Sequence, residues 1–249
     1  MIPRLRLGVF LVAAVFLGAM LLWAFHALPS FGHYPGPYGD QVVPRAVSDR
    51  HADNAVTTVV MDIRAVDTAG EELILFAATV GVLMLLRKLH DERGDNPPAA
   101  TEDAEWVGPS TPVAVVTAAL IGPAALLGLY VVAHGQLTPG GGFQGGVMLA
   151  TPSLLLLLAG RRRRFDELHQ PFRWELAQAI AVVGFLAFGF AGMVFSHAFL
   201  ANFLPLGVIG TVFSAGTITV LNLVAGVGVS TAVVLLTVIF LRQLGVRET

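Results

Sequence analysis

Residues 216–241 read GTITVLNLVAGVGVSTAVVLLTVIFL, without one Lys, Arg, Asp or Glu. At 1.5 Å per residue such a run makes a helix of about 39 Å, enough to cross a hydrocarbon core of about 30 Å. A helix apolar on every face has no place on the surface of a water-soluble domain and belongs inside a large core or a bilayer. The pattern recurs at Leu7–Leu28, Pro112–Ala133, Phe143–Gly160 and Leu176–Phe195. A sixth run, Leu73–Leu86, would rise only about 21 Å, so its helix should begin roughly six residues earlier, within Asp67-Thr68-Ala69-Gly70-Glu71-Glu72. The expected fold is all-α: a polytopic transmembrane protein of about six helices.

Composition supports this reading. Hydrophobic residues make up 55% of the 249 and charged residues 13%, against about a quarter charged in soluble domains. A net charge of -2, with most arginines at the ends of apolar runs, excludes a polyanionic partner such as nucleic acid. The absence of cysteine removes disulfides, thiolate metal sites, iron–sulfur ligation and cysteine nucleophiles. No metal or cofactor is expected, and no enzymatic chemistry. Leu7–Leu28 is longer than the apolar core of about 7–15 residues in a cleaved signal, so it reads as a retained signal-anchor helix.

Orientation follows from the positive-inside rule. With the N-terminus inside, twelve of the fifteen Lys and Arg fall on the cytoplasmic side, including Arg161 to Arg164, while Arg45, Arg50 and Arg64 fall outside. Both termini are therefore expected in the cytoplasm. Between about 91 and 111 the chain turns polar, with Asp91, Glu92, Asp95, Pro97, Pro98, Glu102, Asp103 and Glu105, which reads as a linker. It divides a two-helix part, residues 1–90, from a four-helix part, residues 112–249. The longest polar stretch, Pro29 to about Asn54, leaves no room for a nucleotide-binding module.

Three motifs stand out. The first holds Asp62, Arg64, Asp67, Glu71 and Glu72 just before and inside a span. Charged groups at membrane depth are costly, by about 2.5–3.5 kcal/mol at a helix centre, and usually pair or face a hydrated cavity. In a helix Asp67 and Glu71 share one face, with Arg64 one turn back. Two readings stay open: a solvated cap at the positive end of the helix dipole, or the lining of an ion path. The second motif, His134-Gly135-Gln136 to Pro139-Gly140-Gly141-Gly142-Phe143-Gln144-Gly145-Gly146, lacks the Gly-Lys-Ser/Thr of a phosphate loop. Its glycines are expected to turn the backbone and to let a helix start pack close to a neighbour. His134 reads as a structural hydrogen bonder. The third puts Thr217, Thr219 and Asn222 inside the last span, as hydrogen-bonding glue between helices or, alternatively, as oxygen ligands for a cation. Pro123 and Pro152 each fall inside a span. No Lys, Asp or Glu occupies the middle of the other five spans, which points to a supporting role rather than a primary pump.

The glycine motif, with Ser214-Ala215-Gly216-Thr217 and Leu221-Asn222, resembles the MnhB/MrpB subunit of Mrp-type Na+/H+ antiporters over about residues 108 to 245. Pro37-Tyr38-Gly39-Asp40, Asn54-Ala55-Val56 and Asp62-Ile63-Arg64 through Glu71 look like the E subunit of membrane-bound hydrogenases (MbhE) and the C-terminal part of the large antiporter A subunit (MrpA). The chain thus looks like a fusion of two adjacent subunits. The resemblance implies secondary transport across a prokaryotic plasma membrane, with proton entry driving Na+ or another cation outward. The implied partners are the A, C, D and small antiporter subunits. It also assigns Asp67, Glu71 and Glu72 to the cation path, with Arg64 holding one carboxylate charged. Two departures, Gln136 where relatives commonly carry His and Gly228 where they often carry a charge, argue against a direct ion-handling role. A redox-driven, complex-I-like assembly and a self-sufficient small-solute carrier are the alternatives.

Overall fold

The computed structural model of the chain describes residues 3–28, 32, 36–92 and 108–243. Most of the expected linker lies outside them. Every regular element among the described residues is helical. Residues 1–41 and 42–249 form two compact units. The first holds α1 (Pro3–His26), whose side chains from Leu7 onward are nearly all exposed. Helix α2 (Pro37–Arg50), which the polar outer segment did not suggest, begins in the first unit and continues into the second.

The second unit contains α3 (Ala55–Thr58), a π-helical turn (Val59–Ile63), α4 (Ala65–Glu92), α5 (Thr111–Ala133), α6 (Gly142–Leu158), α7 (Arg162–Leu168), α8 (Pro171–Ser196) and α9 (Thr217–Gln243). The short apolar run Leu73–Leu86 is completed as expected, because α4 starts at Ala65. Among the described residues five helices are long and apolar enough to cross a membrane: α1, α4, α5, α8 and α9. The remaining expected span, α6, has 17 residues, at the short end of the range. Prolines mark the helix starts, with Pro112 and Pro171 in the first turns of α5 and α8, where a missing N–H costs nothing. Pro123 and Pro152 lie inside α5 and α6.

Helix α9 is the centre of the unit and packs against α6, α8, α4 and α5. Of its apolar window 56% is buried by the chain itself, against 11% for α5, so α5 presents most of its surface outward. One core joins Met61, Ala65 and Ala69 to Phe185, Ile218, Leu221 and Ala225. A second, at the other end of the bundle, gathers Ala150, Phe165, Val234 and Val238.

Helix α7 is pinned at this second end. The His169 Nδ1–H donates to the Phe165 carbonyl at 2.7 Å, which leaves Nε2 to accept from the Ser153 hydroxyl at 2.8 Å. The ring stacks between Phe165 and Trp174. Burial lowers the His169 pKa against smaller opposing effects of the Phe165 carbonyl and Asp166, favouring this neutral form.

Candidate functional site

The acidic motif lies on a helix that is broken where it enters the bundle. Asn54 caps α3, its side-chain oxygen accepting from the Val56 and Thr57 backbone N–H groups. The π-helical turn ends at Arg64, whose backbone (φ -125°, ψ 33°) leaves the helical region before α4 restarts at Ala65. The Thr68 hydroxyl donates back to the Val60 carbonyl at 2.5 Å across this break. Breaks of this kind concentrate at functional sites.

The break sorts the acids. Asp62, its side chain 6% exposed, pairs with Arg50 of α2. Arg64 pairs with Asp67 at 2.5 Å, both side chains more than half exposed, and Glu71 is exposed on that outward side. Glu72 points the other way and is 3% exposed. A Cβ built on Gly228 of α9 would lie 2.8 Å from Glu72 Oε2 and 3.5 Å from the Ala181 side chain of α8. Gly228 is the twelfth residue of α9 and Ala181 the eleventh of α8, so about 15 Å of helix separates each from its nearer end. The Glu72 carboxyl therefore sits opposite the central turns of two long spans, too deep for an interfacial cap. Its Oε1 has no hydrogen-bond partner among the described residues. Gly228 does leave the middle of α9 without a charge, yet a buried acid occupies that place, supplied from α4.

The glycine motif packs on a different stretch of the α9 surface, around Asn222, Ala225, Gly226 and Val229. The Gly142 N–H donates to Asn222 Oδ1 at 2.9 Å, and the Asn222 amide donates to the Ile218 carbonyl at 3.1 Å. Cβ atoms built on Gly142 and Gly146 would lie 2.6 Å from the Asn222 carbonyl and 2.9 Å from the Gly226 carbonyl, while one on Gly145 would lie 2.7 Å from the Val132 nitrogen of α5. Gly142 and Gly146 thus bring α6 onto α9, and Gly145 brings it onto α5, by the close-approach geometry of small residues one turn apart. Gly140 and Gly141, at φ 141° and 137°, hold the turn after Pro139 in backbone that only glycine enters readily.

The acidic segment is latched to this turn. Asn54 Nδ2 donates to the Gly135 and Thr138 carbonyls at 2.8 and 2.9 Å, the Thr57 hydroxyl donates to the Gly135 carbonyl at 2.7 Å, and the Asn54 N–H donates to the Gln136 carbonyl at 3.0 Å. His134 bonds the Tyr130 carbonyl through Nδ1 at 3.0 Å and stacks on that ring. Gln136 is fully buried and donates to the Val212 carbonyl at 2.8 Å. The Thr217 hydroxyl accepts from the Phe203 and Leu204 N–H groups, and the Thr219 hydroxyl donates to the Ser214 carbonyl. Thr217, Thr219 and Asn222 thus each hold a protein partner.

Residues 112–238 match the family described as a domain related to the MnhB subunit of Na+/H+ antiporter. The chain belongs to the MnhB-related family. It is 32% identical over 202 residues to an uncharacterized protein of Methanocaldococcus jannaschii, covering 74% of this chain and 76% of that one. Among solved structures, a chain of the membrane-bound sulfane sulfur reductase, an archaeal respiratory membrane complex, superposes with a TM-score of 0.71 at 28% identity, covering 95% of this chain and 98% of that one. A chain of the Mrp complex from Dietzia sp. DQ12-45-1b gives the same TM-score at 23% identity. That likeness concerns the fold; it covers 98% of this chain and 26% of the longer one. The MnhB-related protein is a multi-pass membrane protein, and both solved neighbours are chains of larger complexes, the first of them a membrane complex.

Its family motif and its acidic segment meet through Asn54, Thr57 and Gly135, while the Glu72 carboxyl meets Gly228 lower on α9. The sequence grouped Glu71 and Glu72 together; the structure sends them to different sides of α4.

Proposed function

We propose that this chain is a non-catalytic membrane subunit of a multisubunit Na+/H+ antiporter, with both termini in the cytoplasm of a prokaryotic cell, and that Glu72 is its deep ion-handling group. The observation that carries the proposal is the Glu72 carboxyl, buried in mid-bundle with one oxygen lacking a partner. An acid in that position costs several kcal/mol unless its charge is exchanged for a proton or met by a cation. The Arg64–Asp67 pair and Glu71 lie on the outward side of α4, where charged groups in a bilayer need water or another protein. A neighbouring subunit covers that side, and the acids line the approach of the cation. The MnhB-family match supports the antiporter assignment.

A second reading has its own support. The end-to-end likeness to a chain of an archaeal respiratory complex fits a membrane arm driven by redox chemistry. Native mass spectrometry of the complex captured through a tag on this chain separates the two. Antiporter A, C and D subunits without a redox-active partner are expected. A metal-bearing catalytic subunit in the same particle would establish the second reading, and isolation of the chain by itself would remove both in favour of an autonomous carrier.

A further inference from the structure

At the bundle end that carries Arg161 to Arg164, α5, α6 and α9 leave a cavity of about 430 Å³. Its walls are Val113, Leu154, Leu157, Leu158 and Leu241, and Arg162 is the charged residue at its edge. Val113 and Leu158 are roughly half exposed, so the groove is open to its surroundings. In a bilayer those surroundings are acyl chains.

The basic rim is built rather than loose. Phe165, 1% exposed, anchors α7, and His169 ties its end to Ser153 of α6. Trp174 stacks on His169 and donates to the Leu168 carbonyl, an amphipathic indole of the kind found at the headgroup level. This fixes the four arginines at the membrane boundary. Two acids partly balance them: Asp166 meets Arg162 at 3.3 Å, and Glu167 meets Arg163 at 3.1 Å. Arg161 and Arg164 have no ion pair among the described residues, leaving the rim with an excess of two positive charges. The Arg162 side chain is only 12% exposed and its contact with Asp166 is long, so the guanidinium is held beside the groove with donors to spare.

We infer that this groove binds one anionic phospholipid, an acyl chain lying along Leu154, Leu157, Leu158 and Leu241 and the phosphate meeting Arg162. Cavity volume falls in the range of about 300–1,000 Å³ typical of small-molecule sites. The guanidinium fork matches a phosphate diester in shape and charge, and basic pockets between spans select anionic headgroups. A neutral lipid would fill the apolar walls but leave the charge excess unmet.

The test uses the intact complex, delipidated in detergent and titrated with phosphatidylglycerol or phosphatidylcholine, with retained lipid counted by native mass spectrometry. One phosphatidylglycerol is expected to stay bound to this chain under conditions that remove phosphatidylcholine. Arg162→Gln should lower its retention at least about tenfold, or about 1.4 kcal/mol. Leu158→Trp, at a half-exposed wall position, should block the groove without touching the core. Arg163→Gln, whose side chain is 85% exposed and paired with Glu167, should change nothing. Equal retention of the two lipids, unchanged retention in both Arg162→Gln and Leu158→Trp, or competition by inorganic phosphate alone would overturn the assignment. So would a groove filled by a protein segment, such as the acidic stretch 93–107, in a structure of the complex.

Discussion

Glu72→Gln should leave the complex assembled and reduce its cation-coupled proton movement at least about tenfold, a barrier change of about 1.4 kcal/mol. Gln preserves the length and most of the volume of Glu while removing the titratable charge, so the packing against Gly228 and Ala181 should survive. What disappears is a group able to take up and release a proton or to meet a passing cation. Retained activity should therefore lose the pH and Na+ dependence of the wild type, a change that mere loosening of the bundle would not produce. Gly228→Ala provides an independent check. Its new Cβ would press on Glu72 Oε2 at 2.8 Å and force the carboxyl to move. Residues in contact couple, so Gly228→Ala should impair transport in the wild type and add little in a Glu72→Gln background. Wild-type exchange from an assembled Glu72→Gln complex would remove Glu72 from the path.

The largest effect on the fold is expected from Gly142→Ala. The added methyl would lie 2.6 Å from both the Ala225 side chain and the Asn222 carbonyl of α9. The second is main chain inside a helix and cannot give way without parting α6 from α9. Overpacking of this kind typically costs about 1–3 kcal/mol. Displacement would also lengthen the bond from the Gly142 N–H to Asn222, worth about 1 kcal/mol more. Gly122→Ala is the control, because a methyl there meets nothing within 4 Å, and removing a mid-helix glycine gains about 1 kcal/mol of helix propensity. Thermal unfolding in detergent should show Gly142→Ala well below the wild type and Gly122→Ala at or above it. Equal stability of the two variants would mean that the α6–α9 contact does not depend on that glycine.

The architecture was legible because its signals are local. Apolar length alone identifies α1, α5, α8 and α9, and the deficit of Leu73–Leu86 correctly required an earlier start for α4. The glycines of the second motif announced a helix start packed close to a neighbour. What the residues did not announce is which side of α4 turns inward. Asp67 and Glu71 share a face as the four-residue spacing demands, yet that face is the exposed one. A signal was present in Ala65, Thr68 and Ala69, small residues three or four positions apart that lead to Glu72 along the buried side. Weighed as a charge cluster, the motif concealed this stripe. Gly228 misled for a related reason. A glycine reads as a missing charge when α9 is considered alone, whereas in three dimensions the lack of a side chain makes room for the carboxyl of another helix. The π-helical turn and the helix in residues 37–50 depend on tertiary contacts such as Arg50 with Asp62, which no single segment encodes.

Reconstitution tests the account at its centre. The complex captured through this chain and the chain purified alone are placed in matched liposomes, and proton movement driven by an imposed Na+ gradient is followed with a pH-sensitive dye. The outward charges on α4 and the buried Glu72 predict a subunit that needs partners, so the complex should exchange Na+ for protons and the lone chain should show none. Robust exchange by the lone chain would contradict the account.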